Sequence, residues 1–202
     1  MLHPDTRIQY INDDIGYGIF ATKLIPKGTA VYTKEKLEIE LKERDIDAYD
    51  SLLQSQISKY TYNDENGKYI LSWDLAKYVN HCCEANTLST AYGFDIAIND
   101  IQKGEEITCD YAMLNIKEDM TLQCSRPECR NVLRPLDFEY YYRTWDEKVK
   151  KVLHHFFDIE QALLPLIDSV KIDELMNYIK NPKNYQSVYN LRYPNLISKP
   201  SI

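Results

Sequence analysis

The sequence predicts an α+β fold, mostly β, closed by a helical C-terminal cover. Short apolar runs separated by glycine turns fill about the first 130 residues, whereas from Asp146 apolar residues recur at helical spacing. The length, 202 residues at 44% hydrophobic, suits one domain with an appendage.

Taken in order, Ile8-Gln9-Tyr10-Ile11 and Gly18-Ile19-Phe20-Ala21 read as strands around the turn Asp13-Asp14-Ile15-Gly16. Ile25-Pro26-Lys27-Gly28 is a tight turn feeding Ala30-Val31-Tyr32. Residues 35–58 alternate charge with Leu and Ile and carry few turn signals, which suits an irregular or partly helical insert. Tyr60-Thr61-Tyr62 and Lys68-Tyr69-Ile70-Leu71 form a hairpin over Asn63-Asp64-Glu65-Asn66-Gly67. Thr87–Thr90 and Phe94–Ile98 are further strands. The turn Ile101-Gln102-Lys103-Gly104, an echo of the one at Ile25, leads into Glu105–Tyr111. Val149, Val152, Leu153 and Phe156 then share a helix face, followed by Leu163, Leu164, Leu166 and Ile167, where Pro165 breaks or starts a helix. Ile172 to Ile179 is a third amphipathic stretch. The tail after Asn181 is expected to lie along the surface or to be loose.

A net charge of −7 argues against direct nucleic-acid binding, which needs a basic face to displace counterions. It favours a cationic partner instead, although mild acidity is ordinary in soluble proteins. No apolar run reaches membrane-span length and no secretory signal opens the chain, so a soluble intracellular protein without membrane contact is expected. In a reducing compartment the five cysteines are free thiols or metal ligands before they are disulfides.

The densest polar segment is Lys77-Tyr78-Val79-Asn80-His81-Cys82-Cys83-Glu84-Ala85-Asn86-Thr87. Burying so many donors and acceptors costs about 1–3 kcal/mol for each one left unpaired, so the segment reads as a site. A hydrolase using Cys82 or Cys83 with His81 needs nucleophile and base in contact, which neighbours in an extended strand rarely achieve.

Four motifs, each weak alone, stand in a telling order. They are Gly16-Tyr17-Gly18-Ile19-Phe20-Ala21, Ile25-Pro26-Lys27-Gly28, Asn80-His81-Cys82-Cys83-Glu84-Ala85-Asn86, and Gly104-Glu105-Glu106-Ile107-Thr108-Cys109-Asp110-Tyr111. Together they resemble the SET-domain protein-lysine methyltransferases, whose corresponding stretches read GxGxFA, I-x-K-G, N-H-S-C-x-P-N and G-E-E-L-T-x-D-Y. The run from Leu122 and Cys124 through Cys129-Arg130 is similar to the family's post-SET segment, C-x-C-x4-C-R.

The resemblance implies a SET domain over residues 5–113, a post-SET-like segment over 114–134 and a helical C-terminal extension over 135–202. It implies small twisted antiparallel sheets with a pseudoknot, the Asn-His stretch threading under the strand that ends at Tyr111. S-adenosylmethionine would lie on one face, along Gly16, Tyr17 and Gly18 and against Asn80 and His81. The substrate lysine would enter from the other face, with Tyr111 as the channel tyrosine and Asn80 and Tyr111 converging on one narrow tunnel. The implied partner is a basic protein or peptide, a histone tail or another lysine-rich protein, which in the histone case means a nuclear or host-nuclear location. A SET-like peptide-binding module with weak or lost turnover is the alternative.

Chemistry gives reasons for these residue types. Methyl transfer to an amine is an in-line displacement, accelerated by alignment and exclusion of water. Burial beside a sulfonium disfavours the lysine ammonium, so no aspartate base is required and Asp110 is assigned none.

Departures from the family pattern also carry expectations. Cys82, Ala85 and Lys77 stand where the family has Ser, Pro and Arg. Cys109 replaces a common Phe or Tyr and should leave room for di- or trimethylation. The family's E-Y-x-G-E strand is not recognisable around Val31–Lys36, so no channel residue is placed there. In relatives the post-SET cysteines bind zinc together with the last Cys of N-H-S-C. Here Cys83, Cys124 and Cys129 match but Leu122 replaces a ligand, which leaves zinc binding and simple thiol packing both open. Cys82 should face away from that cluster, because adjacent residues in extended chain point oppositely.

Overall fold

The computed structural model describes residues 1–124 and 126–194. Ser125 of the post-SET-like segment and residues 195–202 of the C-terminal extension lie outside the described residues. The expected architecture is present: small sheets first, then helices packed over them.

The first sheet is built from β1 (Thr6–Asn12) and β2 (Gly16–Ala21), an antiparallel hairpin. It continues through β10 (Glu106–Cys109), antiparallel to β2, to the short β7 (Asn80–His81), which is parallel to β10. The second has the order β3 (Ala30–Thr33), β9 (Phe94–Ala97), β8 (Thr87–Ser89). The third joins β4 (Ile39–Leu41), β6 (Tyr69–Leu71) and β5 (Thr61–Asn63). A small pair, β11 (Met120–Thr121) and β12 (Val132–Leu133), follows.

The two echoing turns hold each other. The Ile25 and Ile101 backbones exchange hydrogen bonds of 2.9 and 2.8 Å, and both side chains are fully buried. Gly28 and Gly104 close these turns at φ of +91° and +84°, where a Cβ would be strained. This cross-brace sets the smaller core of Ile19, Ala21, Val31 and Ile107.

The pseudoknot rests on a few polar bonds. Cys82 N–H donates to Cys109 O at 3.1 Å, and Asn86 Nδ2 donates to Glu106 O at 2.8 Å. Thr108 N–H in turn donates to Asn86 Oδ1 at 2.9 Å. Asn86 is buried, so its amide substitutes for a strand where the backbone crosses itself.

The insert is more ordered than its sequence suggests, holding β4, a single turn α1 (Glu43–Ile46) and α2 (Ser51–Tyr60). Asp50 caps α2 by accepting from Leu53 N–H at 2.9 Å. Tyr60 ends α2, and the hairpin begins one residue later than expected.

Helix α3 runs Asp137–Leu153, starting upstream of the expected Asp146. Phe138 and Trp145 are buried on the same stripe as Val149 and Val152, so aromatic residues form the helix's first turns. Pro165 limits the next apolar run to a 3₁₀ turn at Leu164–Leu166, although Leu163 and Ile167 are buried. Helix α4 spans Ser169–Lys180.

Up to Pro194 the tail is packed rather than loose. Val188 is fully buried, and Asp146 accepts from Tyr185 Oη at 2.7 Å, Ser187 Oγ at 2.7 Å and Val188 N–H at 2.9 Å. One buried carboxylate organises the segment, and periodicity does not encode that. The larger core lies between the β3–β9–β8 sheet and these helices, with Phe94 stacked on Phe156 at 4.7 Å. Among the described residues no helix is long and apolar enough to cross a membrane.

Candidate active site

A cleft of about 720 Å³ opens on one side of the β7–β10 pair. Tyr32, Tyr62, Asp95, Cys109 and Tyr111 line it. The packed tail supplies part of the rim through Asn190 and Leu191. Asn115 fixes that rim: its Nδ2 donates to Asn63 O at 3.0 Å and Leu191 O at 2.9 Å, while its Oδ1 accepts from Tyr193 N–H at 2.9 Å.

Tyr111 begins the 3₁₀ turn Tyr111–Leu114 that follows β10. Its hydroxyl donates to Val79 O at 2.8 Å and its backbone N–H donates to His81 Nδ1 at 3.1 Å. Burial pushes the phenol well above its usual range, so it stays protonated. With the hydroxyl proton committed to Val79, the oxygen's lone pairs are what it can offer to another donor.

The opposite side of the strand pair carries the glycine loop. Asn80 Nδ2 donates to Tyr17 O at 3.0 Å and to Glu106 Oε1 at 2.8 Å. A Cβ on Gly18 would come within 2.4 Å of Glu106 Oε1 and 2.9 Å of Asn80 Nδ2, so a larger residue would displace both side chains. Gly16 sits at φ +83° with no atom within 4 Å of a Cβ, leaving an open backbone edge. Tyr17 is exposed and meets Tyr10 and Tyr78 edge-on at 5.7 and 6.1 Å.

Asn80 and Tyr111 flank the β7–β10 pair from opposite sides. The cleft lining includes Val79 and Tyr111 but neither Asn80 nor Gly16–Gly18. The register explains the division: Asn80 pairs with Thr108 and His81 with Cys109, and successive strand residues face opposite sides. Two faces of one strand pair are used, and the Val79 carbonyl lies next to Asn80 in the chain.

The SET domain family model matches residues 16–112, from the open glycine to just past Tyr111. Residues 16–112 carry a SET domain. It is 28% identical over 137 residues to the histone-lysine N-methyltransferase ATX2 of Arabidopsis thaliana, covering 61% of this chain and 12% of that protein. It is also 28% identical over 134 residues to a variant-silencing SET domain-containing protein of Plasmodium falciparum (57% and 5%). The figure is again 28%, over 130 residues, for the histone-lysine N-methyltransferase trithorax of Drosophila melanogaster (58% and 3%). The chain thus spans a small part of each of these relatives.

Cys83 of the matched stretch meets two cysteines that follow it: the Sγ atoms of Cys83, Cys124 and Cys129 lie within 4.8 Å of one another. Arg130 N–H donates to Cys83 Sγ at 3.4 Å and Asn131 N–H to Cys129 Sγ at 3.2 Å. Burial raises the Cys83 thiol; at Cys124 burial is outweighed by hydrogen bonds from the Cys83 and Arg126 backbone and neighbouring thiols, which lower it. Leu122 packs against the larger core, and Cys82 is buried outside the cluster.

His81 and Cys83 do meet, contrary to the sequence argument: Nε2 lies 3.2 Å from Sγ. Residues i and i+2 share a strand face, so the opposite-facing argument applied to Cys82 alone. Burial lowers His81 to about 4, and with Nδ1 accepting from Tyr111 the neutral ring carries its proton on Nε2. Neither residue lines the cleft, which disfavours a Cys/His hydrolase.

Asp110 has no place in the cleft lining either. Its carboxylate accepts from Ala112 N–H and Trp145 Nε1, both at 3.1 Å, and pairs with Arg130. The sequence reading missed Tyr32, Tyr62 and Asp95 in the cleft, and the pairing of Asp110 with Arg130 and Trp145. Tyr32 lies in the stretch where no channel residue was placed. Its register opposite Asp95 is a tertiary fact that no local motif announces.

Proposed function

We propose that this SET domain transfers methyl groups from S-adenosylmethionine to lysine side chains of a basic protein, a histone tail among the candidates. The reading is carried by one observation: Tyr111 projects into a deep aromatic cleft while its backbone is hydrogen-bonded to His81, beside the open glycine loop on the other face.

The residues on the glycine face fit a nucleoside-bearing cofactor. Gly16 leaves the backbone edge open, Tyr17 offers an exposed ring, and Asn80 is an amide held in place from two sides. When bound, the cofactor supplies an electrophilic methyl group on a sulfonium. Tyr111 then accepts a hydrogen bond from the substrate nitrogen and so aims its lone pair, while the rings of Tyr32 and Tyr62 exclude water from the alkyl chain. Incubation with labelled cofactor, histones and lysate proteins tests the reading. Label on lysine supports it, and cofactor binding without transfer to any protein would reduce the chain to a binding module.

Cys109 lines the cleft, and burial keeps its thiol neutral. A side chain this small leaves space for a methylated amine, so products are expected to reach di- or trimethyl-lysine under excess cofactor. Cys109→Tyr should arrest the reaction at monomethyl-lysine. Mass spectrometry checks both, and a wild-type protein that stops at one methyl group contradicts the reading.

The three converging thiols, two with backbone N–H donors aimed at sulfur, fit a zinc ion with one ligand position left over. Cys83, Cys124 and Cys129 would hold it and tie the post-SET-like segment to the knot. Metal analysis is expected to find about one zinc per chain, lost in Cys129→Ser. A metal-free, fully folded protein would leave the thiols as packing groups.

A further inference from the structure

Strand β9 reads Phe94-Asp95-Ile96-Ala97, and three of its four residues are buried and apolar. The fourth is a half-buried carboxylate in the cleft lining, paired in register with Ser89 on β8 and Tyr32 on β3. Ser89 is its polar neighbour on β8 and favours the anion. A carboxylate in such a place is costly unless it is paired or hydrogen-bonded.

Asp95 shares the cleft lining with Asp64, Glu65, Glu118 and Asp119, and stands apart from them on the central strand of its sheet, between Ser89 and Tyr32. Tyr32, Tyr62 and Cys109 face it, and burial raises all three well above their usual values, so they are neutral. Glu38 lies behind Tyr32, whose hydroxyl donates to it at 2.8 Å, and is absent from the lining. Asp64 lies 3.5 Å from Lys34. The amino group of Met1, itself lowered by burial, acts on Asp95, and Lys34, Lys59, Lys77, Lys117 and Lys171 stand elsewhere in the lining.

We infer that Asp95 takes the proton of the substrate lysine inside the cleft, so that the chain captures lysine as the abundant ammonium ion and presents it as free amine. The inference rests on the methyltransferase reading above. One N–H bond breaks and its electron pair stays on nitrogen, while an O–H bond forms on Asp95. The nitrogen pair then forms the bond to the methyl carbon as the carbon–sulfur pair returns to sulfur. Asp95 loses its proton to water when the product leaves.

Tyr111 is poorly suited to this task, because its phenol is neutral and its proton is committed to Val79. The energetic match favours Asp95. Burial raises its carboxyl to about 6, and the same desolvation lowers a lysine ammonium. The gap that separates the two groups in water, about 6 units, therefore narrows from both ends.

The experiment is kcat/KM for a lysine peptide with the full chain, from about pH 5.5 to 9.5, in wild type, Asp95→Asn and Ser89→Ala. Wild type is expected to be flat between about pH 7 and 9, because the ammonium form is the one captured. Below about pH 6 it should fall, as Asp95 becomes protonated. Asp95→Asn must wait for neutral lysine, so its kcat/KM should climb about tenfold per pH unit through that range and sit about 10²–10³-fold below wild type near pH 7.5. Cofactor titration of Asp95→Asn should match wild type, which separates this loss from misfolding. Ser89→Ala removes a neighbouring hydroxyl that favours the anion, and should move the acid limb to higher pH. The Met1 amine is unchanged across the set, so its own titration cannot create the difference in slope.

A plateau retained in Asp95→Asn, a tenfold-per-unit climb in wild type, or an acid limb unmoved in Ser89→Ala would each overturn the assignment while leaving methyl transfer standing. Absence of transfer from wild type at every pH would remove the methyltransferase reading and this one together.

Discussion

Tyr111→Phe is expected to bind cofactor as wild type does and to lose about 10²–10³-fold in kcat for methyl transfer. The hydroxyl is placed by its bond to Val79 O at 2.8 Å, and the preceding backbone is held by the N–H bond to His81 Nδ1 at 3.1 Å. A phenol fixed at both ends can aim an amine lone pair without reorganising during the reaction. Phenylalanine keeps the ring against His81, 5.4 Å away between centroids, so the cleft wall should survive. It removes the donor to Val79, and an orphaned carbonyl costs about 1–3 kcal/mol. Unfolding should therefore be measured alongside rate. A variant with unchanged kcat would show that Tyr111 is only packing.

Asp110→Ala is expected to destabilise the fold by about 3 kcal/mol, read from a lower denaturant midpoint at constant slope. The carboxylate is nearly out of solvent and holds three partners: Ala112 N–H, Trp145 Nε1 and the Arg130 guanidinium. Removing it leaves a largely buried Arg130 whose other carboxylate, on Asp137, is 3.8 Å away. It also frees the turn that carries Tyr111, so turnover should fall with stability, unlike the pure rate effect of Tyr111→Phe. A loss below about 1 kcal/mol would mean that Arg130 and Trp145 find water or other partners easily.

Local and ordered signals were legible in the sequence. The strands around Gly16-Tyr17-Gly18, the hairpin over Asn66-Gly67 and the two Ile-Lys-Gly turns follow from backbone preferences of a few adjacent residues. The order of the motifs then pointed to the family whose model matches residues 16–112. Helix α3 begins ahead of its periodic apolar run because its first turns are aromatic, and rings such as Phe138 and Tyr141 are weak helix formers when judged alone.

What tertiary structure decided lies across pairs that are distant in sequence. Asp95 reads as an ordinary strand residue until Tyr32, Ser89 and Cys109 are brought around it. Asp146 reads as a surface helix acid until the tail folds onto it.

Chain order alone therefore established the kind of domain, since motif succession needs no coordinates. Which side of the β7–β10 pair each group serves, and which carboxylate faces the cleft, came only from folding. A buried charge takes its role from the dielectric and partners around it, and those are assembled from the whole chain.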